Sequence, residues 1–209
     1  PEGAHVTICA AARYETVVER IGDADVLVSE RSGRIDAPLI RRGRNLRLIQ
    51  RWGRMTHDID LGAAREAGVA VCYQPLYNAM MVAEHVVMQI LGLAKCVREC
   101  EDVLLDPRDW GMEPRQCDAN QFAINWSGRR DIMPVLGSTV GIVGFGEIGA
   151  ELAERLKPFG CRVLYNKRNR LPADVEASLG VTYADRDAIR AASDFLCLLL
   201  PHVDSAGGA

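Results

Sequence analysis

The segment that most limits what this chain can fold into is residues 138–160, STVGIVGFGEIGAELAERLKPFG. A β-branched apolar run, 139–143, leads directly into Gly144-x-Gly146-x-x-Gly149, and an amphipathic stretch, 148–159, follows at once. Strand, glycines and helix in that order predict a dinucleotide-binding βα unit, closed by a second strand at 162–165 within about 30 residues. Gly144 permits the tight turn, Gly146 lets backbone approach a pyrophosphate, and Gly149 allows close packing of helix on strand. The phosphates would sit on the free N–H groups and positive dipole end of the helix. Gly144, Phe145, Gly146, Glu147, Ile148 and Gly149 are therefore candidate cofactor-binding residues.

An NAD site normally presents a carboxylate to the ribose 2′-OH at the end of the second strand, about 20 residues beyond the glycines. Here the chain reads Tyr165-Asn166-Lys167-Arg168-Asn169-Arg170, with three cations, two amides and no acid. Such a loop suits a 2′-phosphate, because guanidinium groups make planar bidentate contacts with phosphate oxygens. Asn166, Lys167 and Arg168 join the candidate cofactor residues, and NADP is favoured over NAD.

Upstream, short β-branched runs alternate with amphipathic stretches of about ten residues, the pattern of a parallel α/β fold. Strands are expected at 5–9, 24–29, 46–50 and 69–73. Helices are expected at 14–21, closed by Gly22; at 37–43, with Asp36 as N-cap and Pro38 in the first turn; and at 61–67, stopped by Gly68. Asn78 is expected to cap one long helix over 79–101 that is apolar on most faces, hence buried or paired with a second subunit. Residues 106–134 lose all periodicity and read as a surface connection. The domain division falls before the long helix: 1–77, and 78–209 with the dinucleotide fingerprint.

Composition excludes several function classes. Lys plus Arg total 25 against 28 Asp plus Glu, a net charge of −3, so no overall basic field attracts nucleic acid or anionic lipid. Neither nucleic-acid nor membrane partners are expected. No apolar run reaches the roughly 18–20 residues of a membrane span, and Pro1-Glu2-Gly3 opens no basic-then-apolar signal, so the chain reads as cytoplasmic. The seven cysteines form no C-x-x-C pair, which points to buried reduced thiols rather than disulfides or a metal site.

Four stretches carry a family resemblance: NLRLIQRWGRMTHDIDLGAAREAGVAV, NAMMVAEHVVMQILGLAK, GSTVGIVGFGEIGAELAERLKPFGCRVLY and AASDFLCLLLP. In that order and spacing, over residues 24–201, they resemble the D-isomer-specific 2-hydroxyacid dehydrogenases. The resemblance implies a flavodoxin-like substrate domain lacking its first strand, then a Rossmann cofactor domain lacking its C-terminal half, with the active site in the cleft between them. It implies hydride exchange between NAD(P) and a small 2-keto or 2-hydroxy acid. It also implies a homodimer through the 79–101 helix. The family's substrate loop is usually G-x-G-x-D, of which Gly53-Arg54-Met55-Thr56-His57 keeps the first glycine, and its amides at Arg54 and Met55 would bind the substrate carboxylate. The motif around Asn78, Glu84 and His85 is also similar to the formate dehydrogenase branch, where an Asn at this position contacts substrate. Gly53, Arg54, Met55 and Asn78 are thus the candidate substrate residues.

The catalytic Arg, Glu and His of this family all follow the strand matching 195–200, so the resemblance carries no catalytic residue onto this chain; either they are expected beyond Ala209, in a longer polypeptide of which this is a fragment, or the protein is catalytically inactive. Pro201 and His202, past the carboxyl end of that strand, are expected to wall the cofactor pocket. His85 is expected in the core or an interface, and His57 is a weak candidate for substrate contact. The rival functional class is a non-catalytic dinucleotide-binding module such as the corepressors that share this fold; a second rival is a formate dehydrogenase.

Overall fold

The computed structural model describes residues 3, 5–9, 13–30, 33–106 and 129–200. Two parallel sheets organise it. The first holds β1 (Val26–Glu30), β2 (Leu48–Trp52) and β3 (Ala70–Gln74) in the order β1-β2-β3. Three helices accompany it: α1 (Tyr14–Arg20), α2 (Ala37–Arg42) and α3 (Leu61–Glu66). The caps are those the sequence offers: Asp36 accepts from the Leu39 N–H at 3.2 Å and Asp60 from the Ala63 N–H at 2.8 Å. Leu39, Ile40, Ile49, Ile59 and Ala64 close a small core beneath this sheet.

The second sheet has the order β6-β5-β4-β7, from β4 (Thr139–Val143), β5 (Arg162–Asn166), β6 (Val181–Tyr183) and β7 (Phe195–Leu198). The chain winds outward from β4 to β6 and then returns to the other side of β4, so the connections diverge between β4 and β7. That is one half of the Rossmann arrangement, with its ligand crevice at the carboxyl ends of the diverging strands. The fold class is α/β, as the alternation predicts. Helix α6 (Glu147–Leu156) buries Ala150, Leu152, Ala153 and Leu156 against β4 and β5 and packs along α4 (Tyr77–Ala94), whose Ala83 and Ile90 enter the same core.

Several expectations fail for identifiable reasons. Residues 5–9 form no strand: none of the described strands takes them as a partner, and Val6 and Ile8 stay exposed. Gly22 lies inside a 3-10 turn rather than ending α1. Helix α4 starts at Tyr77 with Leu76 at its N-cap, so Asn78 is no cap; its carboxamide oxygen accepts from the Ala79 N–H at 2.9 Å. The long helix is two helices bent by 61°, because Cys96 adopts left-handed backbone (φ 50°) before α5 (Val97–Leu105). The break is tertiary in origin, since Met133 N–H donates to the Ala94 carbonyl at 2.9 Å and Lys95 Nζ to the Met133 carbonyl at 3.0 Å. His85 is exposed, not in the core. Of the described cysteines, all free, only Cys96 and Cys197 are buried, so the expectation of generally buried thiols holds for those two. Most of the 106–134 connection lies outside the described residues. No single described helix is long and apolar enough to cross a membrane.

Residues 173–192, unassigned from sequence, form α7 (Ala173–Leu179), β6 and α8 (Arg186–Ala192). Helix α7 anchors the loop after β5. Tyr165, fully buried, donates its hydroxyl to Glu176 at 2.7 Å and accepts from the Leu171 N–H at 2.9 Å. Arg170 binds the same carboxylate through Nε and Nη2 at 2.9 and 2.8 Å. The two hydrogen-bonded neighbours, Arg170 first, pull the Glu176 carboxyl from 4.5 down to about 2, and burial with the Glu176 contact pushes the Tyr165 hydroxyl up to about 12. A carboxyl whose folded-state pKa lies below its unfolded value stabilises fully above the unfolded value and loses that contribution as pH falls through the folded one. Denaturant stability of the chain should therefore decline between about pH 4.5 and 2. Glu176→Gln, measured over the same range, should be less stable at neutral pH and show a flatter acid limb.

Candidate functional site

Helix α6 can begin where it does because the turn before it has no side chain in the way. Gly144 has φ +89°, and a Cβ there would lie 2.6 Å from the Leu199 carbonyl oxygen. Its N–H donates to the Asn166 carbonyl at 2.9 Å, so β4, β5 and the end of β7 converge on one point. Phe145 turns inward, 2% exposed, with its ring 4.7 Å from that of Tyr165. The sequence reading of Gly149 needs a correction: its missing Cβ makes room for the Phe145 ring, 3.0 Å away, not for a strand. A Cβ on Gly146 would meet nothing within 4 Å, which leaves open space over the first turn of α6. The helical ladder starts at Ala150 N–H bonding to the Gly146 carbonyl, so the N–H groups of Glu147, Ile148 and Gly149 have no intrahelical acceptor. This cradle fits a dinucleotide pyrophosphate. NAD(P) would be held by the Gly146–Gly149 backbone, with Lys167 and Arg168 at the neighbouring strand end.

The loop after β5 divides its side chains. Asn166 donates from Nδ2 to the Ala184 carbonyl at 2.9 Å and so ties β5 to the chain beyond β6. Arg170 is committed to Glu176. Lys167 is half-buried and lines the cleft, where burial lowers its ammonium pKa; Arg168 is exposed. Neither has an ion pair among the described residues. Pro201 and His202 lie outside the described residues.

Across the cleft sits the loop that follows β2. Arg51, the last inward residue of that strand, is 1% exposed and its Nη2 bonds Asp58 Oδ1 at 2.7 Å, a pair that holds the loop between them. Its Nε is buried without a partner. Gly53 has φ +128° and its N–H donates to the Gln74 carbonyl at 2.8 Å. The next two amides, Arg54 N–H and Met55 N–H, both donate to one carboxylate, that of Glu147, at 2.7 and 3.2 Å. A Cβ on Gly53 would fall 2.6 Å from Glu147 Cδ. The Arg54 guanidinium lies against Glu151 and Glu154, each at 3.7 Å, so the acids of α6 grip the loop from 147 to 154. Sequence reading singled out Arg54, Met55 and Glu147 for two separate ligands. The structure brings them into contact with one another.

A cleft of about 500 Å³ opens here, lined by Arg51, Met55, His57, Asp58, Glu147 and Lys167 among others. It adjoins a second of about 810 Å³ that reaches Arg34, Arg168 and Arg170. Asp58 and Arg51 are cleft residues that the sequence did not single out, and His57, a candidate for substrate contact, lines the cleft with them. Burial lowers the His57 pKa, which keeps the imidazole neutral near pH 7. Asn78 is exposed, and neither cleft counts it among its lining residues. Among the described residues there is no cluster of His, Cys, Asp or Glu suited to a metal ion.

Removing Asp58 would strand a buried guanidinium. Breaking a fully buried pair costs about 3–5 kcal/mol; with Asp58 22% exposed, Asp58→Ala should cost less, about 2–3 kcal/mol. Denaturant melts would read this. Arg51→Met, which removes the charge with its partner still near water, should cost less than Asp58→Ala.

Residues 111–208 match the model of the D-isomer specific 2-hydroxyacid dehydrogenase, NAD binding domain. A glyoxylate reductase of Thermococcus onnurineus is 31% identical over 188 residues, covering 90% of this chain and 53% of that protein. A hydroxypyruvate reductase of Thermotoga maritima is 29% identical over 191 residues, covering 91% and 56%. Among solved structures, a formate dehydrogenase of Granulicella M. is 28% identical over 88% of this chain and 46% of its own, with a TM-score of 0.48. The chain spans about half the length of the curated relatives it matches. The glycine cradle and the strand order lie within the matched segment: residues 111–208 are similar to the NAD-binding domain of the D-isomer-specific 2-hydroxyacid dehydrogenases.

Proposed function

We propose that the chain contributes to an NAD(P)-dependent oxidoreductase that interconverts a small 2-keto acid and its D-2-hydroxy acid. The observation that carries this reading is the pair of adjacent N–H groups at Arg54 and Met55, converging on a carboxylate beside the Gly144–Gly149 cradle. Two parallel N–H donors are a carboxylate receptor, and charge-assisted bonds of this kind contribute about 1.5–3 kcal/mol each. On this reading residues 1–77 are the substrate unit, of flavodoxin type, and residues 78–209 the cofactor unit. The bound nicotinamide supplies or accepts the hydride. The chain's own groups orient the acid: the loop amides hold its carboxylate, and burial by Met55 and Arg51 limits water. Relatives named as reductases and dehydrogenases favour an enzyme over a non-catalytic binding module, and a cytoplasmic setting suits it.

NADP is the preferred cofactor on this reading. Lys167 and Arg168 stand beyond the end of β5, where residues 165–170 carry no acid, and a 2′-phosphate would offset the half-burial of the Lys167 ammonium. The full-length protein should bind NADPH at least about tenfold more tightly than NADH, or ~1.4 kcal/mol, by titration calorimetry. Lys167→Asp combined with Arg168→Ala should reverse the order. Equal binding of the two cofactors by the wild type would reduce the basic cluster to a solvated loop.

The same reading includes a homodimer through the 79–101 region. Helices α4 and α5 leave Tyr77, Met81, Met88, Leu93, Leu104 and Leu105 more than half exposed, an apolar surface larger than isolated side chains explain. An isologous two-fold contact would cover it. Light scattering of the full-length protein at micromolar concentration should give twice the protomer mass, and Met88→Glu with Leu93→Glu should halve it.

A further inference from the structure

The receptor for a substrate carboxylate is already filled by a side chain of the protein itself. Glu147 is 9% exposed, and its two oxygens take the Arg54 and Met55 N–H groups one each. This is how a free carboxylate would dock on the same loop. We infer that Glu147 is a built-in competitor: its carboxylate occupies the subsite of the substrate's carboxylate and has to swing out before a small 2-keto or 2-hydroxy acid can bind. The inference rests on the reading that these two amides receive the substrate.

Three features of the site support it. Gly53 admits the contact only because it lacks a side chain, since a Cβ would overlap the Glu147 carboxylate. The Arg54 guanidinium is held separately by Glu151 and Glu154, so release of Glu147 leaves the loop attached to α6 and its amides in place. The exit is prepared as well. The 500 Å³ cleft that Glu147 lines also contains Lys167, so a displaced Glu147 carboxylate moves toward a cation rather than into an apolar wall. Glu147 also sits on the first turn of α6, where the dinucleotide phosphates would lie; a carboxylate that leaves the loop would then meet phosphate charge, which couples acid binding to the cofactor site.

The test uses the ¹⁵N-labelled chain and oxamate, a carboxylate of 2-keto acid shape that undergoes no reduction, with acetamide as the carboxylate-free control. In the wild type the Arg54 and Met55 amide protons should resonate downfield and respond weakly to oxamate. In Glu147→Ala they should move upfield, and oxamate should return them downfield with an affinity at least about tenfold above wild type, or ~1.4 kcal/mol. Glu147→Gln, which keeps the shape and drops the charge, should fall between the two and guards against a folding defect in the alanine variant. Oxamate shifting both amides with equal affinity in wild type and Glu147→Ala would overturn the competitor and leave the carboxylate receptor standing. Amides that move on mutation but never respond to oxamate would overturn both, leaving Glu147 as a clamp between loop and helix.

Discussion

No side chain fits between residue 144 and the backbone carbonyl of Leu199, and the rest of the site follows from that constraint. Because β4 can turn sharply there, α6 starts directly over the carboxyl ends of three strands, and its first-turn amides face the crevice where the connections diverge. One side of α6 is then fixed by burial of Ala150, Leu152, Ala153 and Leu156. The opposite side has no such freedom either, since Glu147, Glu151 and Glu154 recur at helical spacing and engage the loop after β2. A single helix thus serves as a wall of the glycine cradle and as the surface against which the loop after β2 is set.

The polar contacts sort themselves by what burial demands. Arg51 is almost wholly removed from water, so it needs Asp58, and that need fixes the loop whose amides reach Glu147. Tyr165 is buried as deeply and is answered by Glu176, which in turn pairs with Arg170. All three cations of the basic run line the crevice, but Arg170 is already neutralised by Glu176, which leaves Lys167 and Arg168 without an ion pair among the described residues. Net charge says nothing about this: a chain at −3 overall arranges acids along α6 and cations along the facing strand end.

Local elements were legible in the sequence where local chemistry decides them. Strand β4 has the bounds its β-branched run predicts, and Asp36 caps α2 as an Asp before Pro38 should. Strands β1 and β2 run on to Glu30 and Trp52, past the apolar stretches, because ladder pairing rather than hydropathy ends them. The break at Cys96 has no Gly or Pro to announce it; it exists because a segment 38 residues later docks on the end of α4. The candidate site shows the same division. Each of Gly53, Arg54, Met55 and Glu147 was visible as a motif residue, but their meeting spans 93 positions of chain and leaves no periodic or spacing signal. Arg51 escaped for a related reason, as a strand Arg looks like an ordinary surface residue until the fold buries it.

That long-range meeting changes how the departure from the family's loop pattern reads. A second glycine, where this chain has Met55, would leave the loop pliable and its amides dependent on an incoming acid for orientation. Met55 is 8% exposed and packs in the core shared with α6, so its side chain pins the loop and its N–H stays aimed at the cleft. Preorganised donors lower the cost of binding, because less ordering remains to be done when the ligand arrives. They also carry a penalty when empty, for a buried N–H without an acceptor costs about 1–3 kcal/mol. Glu147 removes that penalty. The residue that departs from the usual glycine and the acid in the glycine motif are thus two halves of one arrangement: a rigid receptor requires an internal acceptor, and the acceptor on α6 is within reach because the receptor is rigid.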